Sequence, residues 1–177
     1  MKEADLDAVA ADVVATLAAR RQTVAFCESL TAGLAAATLA GVPGASKVLR
    51  GGLVTYATDL KISLAGVAPN LIARHGVISA HCAKAMAVGG RDRCDSSWGV
   101  SLTGVAGPDS QDGHPVGEVW IGLASPTGGV TATRATGDGA EGLLPGDRCA
   151  IRSAAVAEAL RQLRRAVAGE DTGAVPS

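Results

Sequence analysis

The sequence predicts an α/β protein, a three-layer α/β/α sandwich around a mixed, mostly parallel sheet with one hairpin. Short apolar runs alternate with helical patterns along the 177 residues, which is typical of a sheet covered by helices on both faces. Two consecutive apolar runs are separated only by the turn residues 126–129, which indicates an antiparallel hairpin. Apolar residues make up 47% of the chain, mostly small aliphatic ones that suit close helix–sheet packing.

The chain begins with a helix–strand–helix pattern. Apolar residues recur at helical spacing over residues 6–17, which predicts an amphipathic helix. The apolar run 23–27 predicts a buried strand, and the Ala- and Leu-rich stretch 34–40 after Ser29 predicts the next helix. The segment 41–44 (GVPG) ends that helix, because Gly and Pro interrupt regular structure.

A second strand and two short helices follow. The strand covers about residues 48–56, and it contains the pair Gly51 and Gly52. Paired glycines inside a strand indicate a bulge or a close approach of another backbone. The patterns at 59–64 and 68–75 predict two short helices.

The second half of the chain supplies a helix and three more strands. Ser79 is suited to cap the start of a helix, and Gly89 and Gly90 are expected to end that helix. The apolar run 98–103 predicts a buried strand of parallel type. The runs 119–124 and 130–136 predict the two strands of the hairpin.

The last predicted element is a helix over residues 148–167, with its apolar side chains on one face. Because neither an internal repeat nor an inter-domain linker is visible, residues 1–168 are expected to form a single domain. Residues 169–177 are small and polar and are expected to be a flexible tail. Apolar α/β domains of this size often associate, so the sequence leaves a homo-oligomer open.

Composition excludes several classes of function. The net charge of −1 and the lack of a dense basic run argue against direct nucleic-acid binding. No apolar run is long enough to span a bilayer, and no signal peptide is visible, so a cytoplasmic location away from membranes is expected. The four cysteines form no CxxC pair and show no metal-ligand spacing, so we expect reduced thiols, no metal and no cofactor.

Ser29 is the first candidate for chemistry, because it stands where a buried strand turns into a helix. Ser is among the best N-capping residues, and a cap is the ordinary role at such a position. The alternative is a nucleophile beside the free N–H groups of a helix start, which suit a phosphate or an oxyanion. Glu28 adds a carboxylate to this turn, Thr31 a hydroxyl and Gly33 a flexible backbone.

Tyr56 and Lys61 are the next candidates. Tyr56 ends the second strand, where an amphipathic residue often keeps its hydroxyl in water. Lys61 follows five residues later in an apolar context. A lysine can activate a serine when burial lowers its pKa and frees its lone pair, but a surface lysine on a short helix fits the same pattern.

Two further segments carry polar groups at sites that often bind ligands. The glycine-rich loop that begins with Thr103 and Gly104 follows a buried strand, and open α/β sheets bind ligands at the carboxyl ends of their strands. An ordinary loop that needs positive φ angles fits it equally. Arg148 opens the last helix and could reach a phosphate or pair with a nearby carboxylate.

Two motifs are set aside. Residues 137–142 match G-x-G-x-x-G, but Pro145 and Gly146 follow at once, so no helix opens where dinucleotide binding requires one. His75, His81 and His114 suggest a catalytic triad only superficially, because the chain has no G-x-S-x-G elbow. We expect these histidines to be structural or surface residues.

Four ordered segments carry a resemblance to a known family. They are 25–33 (AFCESLTAG), 51–61 (GGLVTYATDLK), 101–109 (SLTGVAGPD) and 115–123 (PVGEVWIGL). Together they resemble the C-terminal domain of competence/damage-inducible CinA proteins, over nearly the whole chain. The family motif usually reads E-S-x-T-G-G, and here Ala32 replaces the first glycine. Alanine is expected to keep this first turn helical.

The resemblance implies an activity. It is hydrolysis of the amide of nicotinamide mononucleotide to nicotinate mononucleotide and ammonia, in pyridine-nucleotide (NAD) salvage, through an acyl-enzyme. Ser29 would be the nucleophile, Lys61 its base, and Tyr56 a residue that orients or relays between them. Thr103 and Gly104 would hold the substrate or its developing oxyanion. The residues expected to bind substrate are Glu28, Thr31, Gly33, Thr103, Gly104 and Arg148.

A different class of function remains open from the sequence. The chain could be a non-enzymatic module that binds a nucleotide and regulates competence or a DNA-damage response. Its low net charge then requires a protein or small-ligand partner rather than DNA. The alternatives differ in turnover of a pyridine mononucleotide, which only the amidase would show.

Overall fold

The computed structural model describes residues 3–169, with side chains from residue 6 onward. The helices are α1 Glu3–Ala19, α2 Leu34–Ala40, α3 Thr58–Ser63, α4 Pro69–His75, α5 Ala80–Arg93 and α6 Arg148–Gly169. The strands are β1 Val24–Glu28, β2 Leu49–Val54, β3 Trp98–Gly104, β4 Val119–Ala124 and β5 Val130–Arg134. Two short 3₁₀ turns cover Ala45–Lys47 and Ala140–Gly142. Apart from Gly169, which is helical, the predicted tail lies outside the described residues.

The five strands form one sheet in the order β2-β1-β3-β4-β5. β1 pairs in parallel with β2 and with β3. β3, β4 and β5 pair antiparallel, and β4 and β5 form the predicted hairpin. The mixed sheet with one hairpin is therefore confirmed.

Helices cover both faces of this sheet. α1, α2 and α6 pack on one face, around a core that contains Phe26 of β1, Leu102 of β3 and Leu160 of α6, all fully buried. Burying one such side chain stabilises the fold by about 1.5–3 kcal/mol. α5 lies across the other face and contacts β1, β3, β4 and β5. This arrangement is the predicted three-layer α/β/α sandwich.

Gly89 and Gly90 do not end α5, so that prediction is wrong. The helix continues to Arg93, and both glycines are buried in its interior. A Cβ at position 89 would lie 1.9 Å from the carbonyl oxygen of Ala65, and one at position 90 would lie 3.2 Å from Cys27 Cβ. These glycines therefore let α5 approach its neighbours closely.

The glycine pair in β2 lies beside a bulge, the first of the two roles predicted for it. The register of β2 against β1 shifts between Leu49 and Gly51, which leaves one extra residue in β2 and forms a bulge. Gly52 faces α2, because a Cβ there would lie 3.4 Å from Ala36 Cβ. β2 ends at Val54, earlier than predicted, so Tyr56 follows the strand.

Candidate active site

A cleft opens at the carboxyl ends of the parallel strands. Its lining includes Ser29 after β1, Tyr56 after β2 and Thr103 near the end of β3, together with Lys61 of α3 and Arg148 of α6. Parallel pairing of β1 with β2 and β3 places the carboxyl ends of these strands side by side, so residues far apart in the chain meet there, as is usual for ligand sites in open α/β sheets.

Ser29 and Lys61 meet at the base of this cleft. Lys61 Nζ lies 3.0 Å from Ser29 Oγ, 2.7 Å from the carbonyl oxygen of Thr55 and 3.5 Å from that of Tyr56. Backbone hydrogen bonds fix the segments that carry both partners. Ser29 N–H donates to Leu102 O, and Thr55, whose carbonyl accepts from Lys61, donates its own N–H to Glu28 O. Ser29 thus directly follows β1, and Lys61 of α3 is anchored to the segment that follows the adjacent strand β2.

The surroundings of Lys61 favour its neutral form. The side chain is only 2% exposed, and burial lowers the pKa of its amine below the ordinary value. It forms none of the ion pairs found among residues 6–169. Cys27 and Cys82 lie nearby, but burial raises the pKa of both thiols to about 11, so they stay neutral at pH 7. A buried, unpaired lysine beside a serine hydroxyl is suited to accept its proton.

Ser29 does not cap α2. The N-cap position is Gly33, and Glu28 supplies the capping carboxylate instead. Its Oε2 accepts the N–H groups of Gly33 and Ala35 at 3.0 Å each, and its Oε1 accepts that of Ala36 at 2.9 Å. These N–H groups are thereby unavailable to a phosphate, contrary to the expected anion site at this helix start.

Glu28, Thr31 and Gly33 lie outside the cleft lining. Glu28 and Thr31 are buried, and Gly33 adopts a left-handed φ of 93° at the start of α2. The substrate contact predicted for these three residues thus stays a prediction without geometric support. Ala32 has a φ of 50°, so the expected helical turn is wrong: this residue takes a left-handed conformation that favours glycine.

The Tyr56 backbone carbonyl accepts from Lys61, while the Tyr56 hydroxyl has a different partner. The side chain is 54% exposed, and Arg148 Nη2 donates to its hydroxyl at 2.7 Å. Arg148 Nη1 donates to Gly107 O at the same distance. The structure therefore brings Tyr56 to the cleft but does not set its hydroxyl between Ser29 and Lys61.

Thr103 and Gly104 line the cleft as predicted for substrate-binding residues. The Thr103 hydroxyl donates its proton to Val77 O at 2.8 Å, so its oxygen can only accept a hydrogen bond from a substrate. Gly104 is required by close packing, because a Cβ there would lie 2.2 Å from Glu118 O. Of these two, only Thr103 offers a side-chain group to a substrate.

Sequence reasoning missed several residues of the cleft wall and its support. Val77 and Ile78 precede α5 and line the cleft, as do Asp109 and Gln111 of the loop after β3. Arg152 was also missed, although it lies one helical turn after a predicted site residue. Spacing on α6 was the one available signal for it.

Features set aside in the sequence also lie elsewhere in the structure. No histidine is among the residues that line the cleft. The imidazoles of His75 and His81 stack at 3.8 Å, and His114 contacts Glu118 at 3.0 Å. Residues 137–142 form a loop with a 3₁₀ turn, and the next helix begins only at Arg148.

Two absences concern residues 3–169, the part of the chain that the structure describes. Within it, no three His, Cys, Asp or Glu side chains are grouped so that they could hold a metal ion. No helix there combines the length and the apolar character needed to cross a membrane.

Known proteins are similar to this chain in both sequence and fold. A CinA-like protein from Frankia casuarinae is 46% identical over 163 residues, which cover 92% of this chain and 36% of that protein. The chain thus spans little more than a third of that relative. The crystal structure of competence/damage inducible protein CihA from Agrobacterium tumefaciens matches with a TM-score of 0.83 and 30% identity, over 93% of this chain and 96% of that one.

A second solved structure, a CinA superfamily protein from Klebsiella pneumoniae, matches with a TM-score of 0.85 and 26% identity. It covers 92% of this chain and 98% of that one. The family described as the CinA C-terminal domain matches residues 6–167, almost the whole described region. The chain therefore belongs to the CinA C-terminal domain family.

Proposed function

We propose that this chain is an amidase that hydrolyses the carboxamide of nicotinamide mononucleotide through an acyl-enzyme on Ser29. One observation carries the proposal: the buried Lys61 amine lies 3.0 Å from the Ser29 hydroxyl oxygen, at the base of an open cleft. Ser–Lys pairs are a recognised variant of serine nucleophile activation. Family membership and the resemblance of the motifs support the choice of substrate.

The hydrogen bonds of Lys61 suit a base. A charged amine has three N–H donors, and three oxygens surround it: Thr55 O, Tyr56 O and Ser29 Oγ. When the amine is neutral, its two N–H groups stay on the two carbonyls and its lone pair accepts the Ser29 hydroxyl proton. The same geometry therefore serves both protonation states without rearrangement.

The reaction then balances with Lys61 as the only proton carrier. Ser29 Oγ attacks the amide carbon while its proton passes to Lys61 Nζ. The carbon–nitrogen bond breaks, Lys61 returns the proton to the nitrogen, and ammonia leaves. Water then attacks the ester carbon and gives one proton to Lys61, which returns it to Ser29 Oγ as the carboxylic acid departs. The acid then releases its remaining proton to water and becomes the carboxylate.

Backbone and side-chain groups around the pair suit the remaining tasks. Leu30 follows the nucleophile and lines the cleft, and its N–H donates to no acceptor among the described residues. We assign it as an oxyanion donor, a contribution of about 3 kcal/mol in comparable sites. Arg148 lines the same cleft and pairs with no carboxylate in the described region, so it can receive a substrate phosphate.

The free cysteines suit a reducing compartment, so the proposal includes the cytoplasm as the location. Its substrate is a small pyridine nucleotide, and neither nucleic acid nor membrane takes part. The domain works alone or as a homo-oligomer in this proposal.

The direct test incubates the purified protein with nicotinamide mononucleotide and measures ammonia and nicotinate mononucleotide. Wild type should release both in equal amounts, and Ser29→Ala should release neither. Ser63→Ala is the matched control, because Ser63 is an exposed serine on α3 whose hydroxyl donates only to a backbone carbonyl. Folded wild type that binds the nucleotide without releasing product refutes the amidase and favours a regulatory binding module.

Substrate choice is tested by comparing nicotinamide mononucleotide with nicotinamide riboside and NAD. Because Arg148 can receive a terminal phosphate, the mononucleotide should have the highest kcat/KM. Equal kcat/KM for the riboside would contradict the assigned role of Arg148.

A further inference from the structure

Arg152 supports the turn that carries the nucleophile. It lies on α6, and its Nη2 donates to the carbonyl oxygen of Thr31 at 2.8 Å. Thr31 is fully buried and follows Ser29 by two residues. We propose that Arg152 is a positioning residue, which holds the Ser29 turn so that the hydroxyl stays aligned with Lys61. This inference rests on the proposed amidase function.

The turn needs such support because its conformation is unfavourable. It links β1 to α2 over residues 29–33, and both Ala32 and Gly33 have left-handed φ angles. Alanine in this region carries a steric cost that glycine does not. Inside the turn, Ala32 N–H donates to Ser29 O and Leu34 N–H to Thr31 O, each at 3.1 Å. A bond from a rigid helix therefore adds a restraint that the turn itself lacks.

The environment of Arg152 indicates a role other than stability. Its Nε is buried without a hydrogen-bond partner in the described region, and so is the Thr31 hydroxyl oxygen. Arg152 also forms no ion pair with a carboxylate in the described region. Leaving buried polar atoms unpaired is unfavourable, and such sites often have a functional reason. Among residues 6–169, the bond to the nucleophile turn is the one hydrogen bond found for this guanidinium.

Helix α6 also forms hydrogen bonds to residues on the other side of the cleft. One turn earlier on α6, Arg148 donates to Gly107 O and to the Tyr56 hydroxyl. α6 therefore contacts the ends of β1 and β2 and the loop after β3 through two arginines four residues apart. Arg148 lines the cleft. Arg152 does not line it and contacts the Ser29 turn through the carbonyl oxygen of Thr31 instead.

The test measures how fast Ser29 reacts, independently of the natural substrate. A fluorophosphonate probe labels an activated serine, and intact mass follows the rate of labelling. Arg152→Met keeps an unbranched apolar side chain and removes the guanidinium, whereas Arg152→Lys keeps a positive charge and a donor group at the end of the side chain. Arg165→Met on the same helix is the control, because it removes only an exposed ion pair with Glu158.

Arg152→Met should lower the labelling rate and kcat by roughly 10- to 100-fold, the scale expected when a reacting group is misplaced by a fraction of an ångström to 1 Å. KM should change less than about threefold and the pH midpoint should not move, since the surroundings of Lys61 are intact. Arg152→Lys should recover part of the loss, and Arg165→Met should behave as wild type. A purely structural arginine would lower the melting temperature without this split between kcat and KM.

Each other outcome has a definite meaning. Folded Arg152→Met with wild-type labelling overturns the positioning role. If that variant does not fold, Arg152→Lys decides, and its labelling at the wild-type rate overturns the role as well. Wild type that labels at Ser29 but leaves nicotinamide mononucleotide intact refutes the proposed substrate, while the labelling rates still judge Arg152. Wild type that is not labelled at Ser29 overturns both proposals.

Discussion

Glu28 gives the sharpest prediction about the architecture of the site. The sequence suggested that this carboxylate binds substrate, whereas the structure buries it to 1% exposure at the start of α2. It accepts three backbone N–H groups there, from Gly33, Ala35 and Ala36. We therefore expect Glu28→Gln to affect the free energy of unfolding far more than substrate binding.

The magnitude follows from the hydrogen bonds. The glutamine carbonyl can keep the two N–H groups that Oε2 accepts, but the amide NH₂ then faces the N–H of Ala36. One hydrogen bond to a charged acceptor is lost, which costs about 1.5–3 kcal/mol. Loss of the negative charge at a helix N-terminus adds about 0.3–1 kcal/mol. The total is about 2–4 kcal/mol, or a fall in Tm of roughly 4–16 °C for a domain of this size.

The assay is urea unfolding together with a thermal melt, with kcat and KM measured well below the transition. Glu141→Gln is the control, since Glu141 is exposed on a surface turn, and it should change stability by less than about 0.5 kcal/mol. A Glu28→Gln variant that unfolds like wild type while its KM for nicotinamide mononucleotide rises about tenfold or more would contradict a capping role for Glu28. That result would return Glu28 to the substrate site.

Three further predictions concern Lys61, Gly89 and Ala32. Since burial lowers the pKa of Lys61 and the base must be neutral, kcat/KM should rise with pH through that lowered pKa and level off above it; a pH–rate profile that falls over the same range contradicts this base. Gly89→Ala should lose about 3 kcal/mol or fail to fold, because its Cβ would lie 1.9 Å from a backbone oxygen, whereas Gly169→Ala, with open space around it, should melt like wild type. Ala32→Gly should leave Tm unchanged or raise it because φ is 50°, whereas Ala37→Gly in the helix should cost about 1 kcal/mol; equal losses in the two melts would refute the left-handed turn.

The layers and the sheet could be predicted because they depend on patterns that the chain carries locally. Apolar runs mark β1 and β3 on the sequence, and the short turn before β5 fixes the hairpin. Ser79 was identified as a cap from its residue type, and its side chain accepts Cys82 N–H at 3.1 Å. Such features involve residues a few positions apart.

The errors arose where one residue type serves two purposes. Gly89 and Gly90 resemble a helix stop, but they permit close packing inside α5, which only the tertiary structure reveals. Ser29 resembles a cap by its place before a helix, but a five-residue turn lets the preceding Glu28 reach the helix start instead. Ala32 has a conformation that alanine usually avoids, so residue type could not indicate it.

Contacts between distant segments could not be predicted from spacing at all. Lys61 is 32 positions from Ser29, and the parallel pairing of β1 and β2 brings them together. Arg152 is 121 positions from Thr31, and in the sequence it is simply an arginine on a helix. The family resemblance supplied the first of these pairs, and the second became visible only in the folded chain.

The most direct test of the central claim is to trap the acyl-enzyme. Wild type is quenched during turnover of nicotinamide mononucleotide, and intact mass and peptide mapping locate any adduct. We expect an adduct with the mass of the substrate less ammonia, attached to Ser29 and absent from Ser29→Ala. Lys61→Met should form this adduct slowly or not at all. Turnover by Ser29→Ala, or an adduct on any other residue, would contradict the Ser–Lys mechanism.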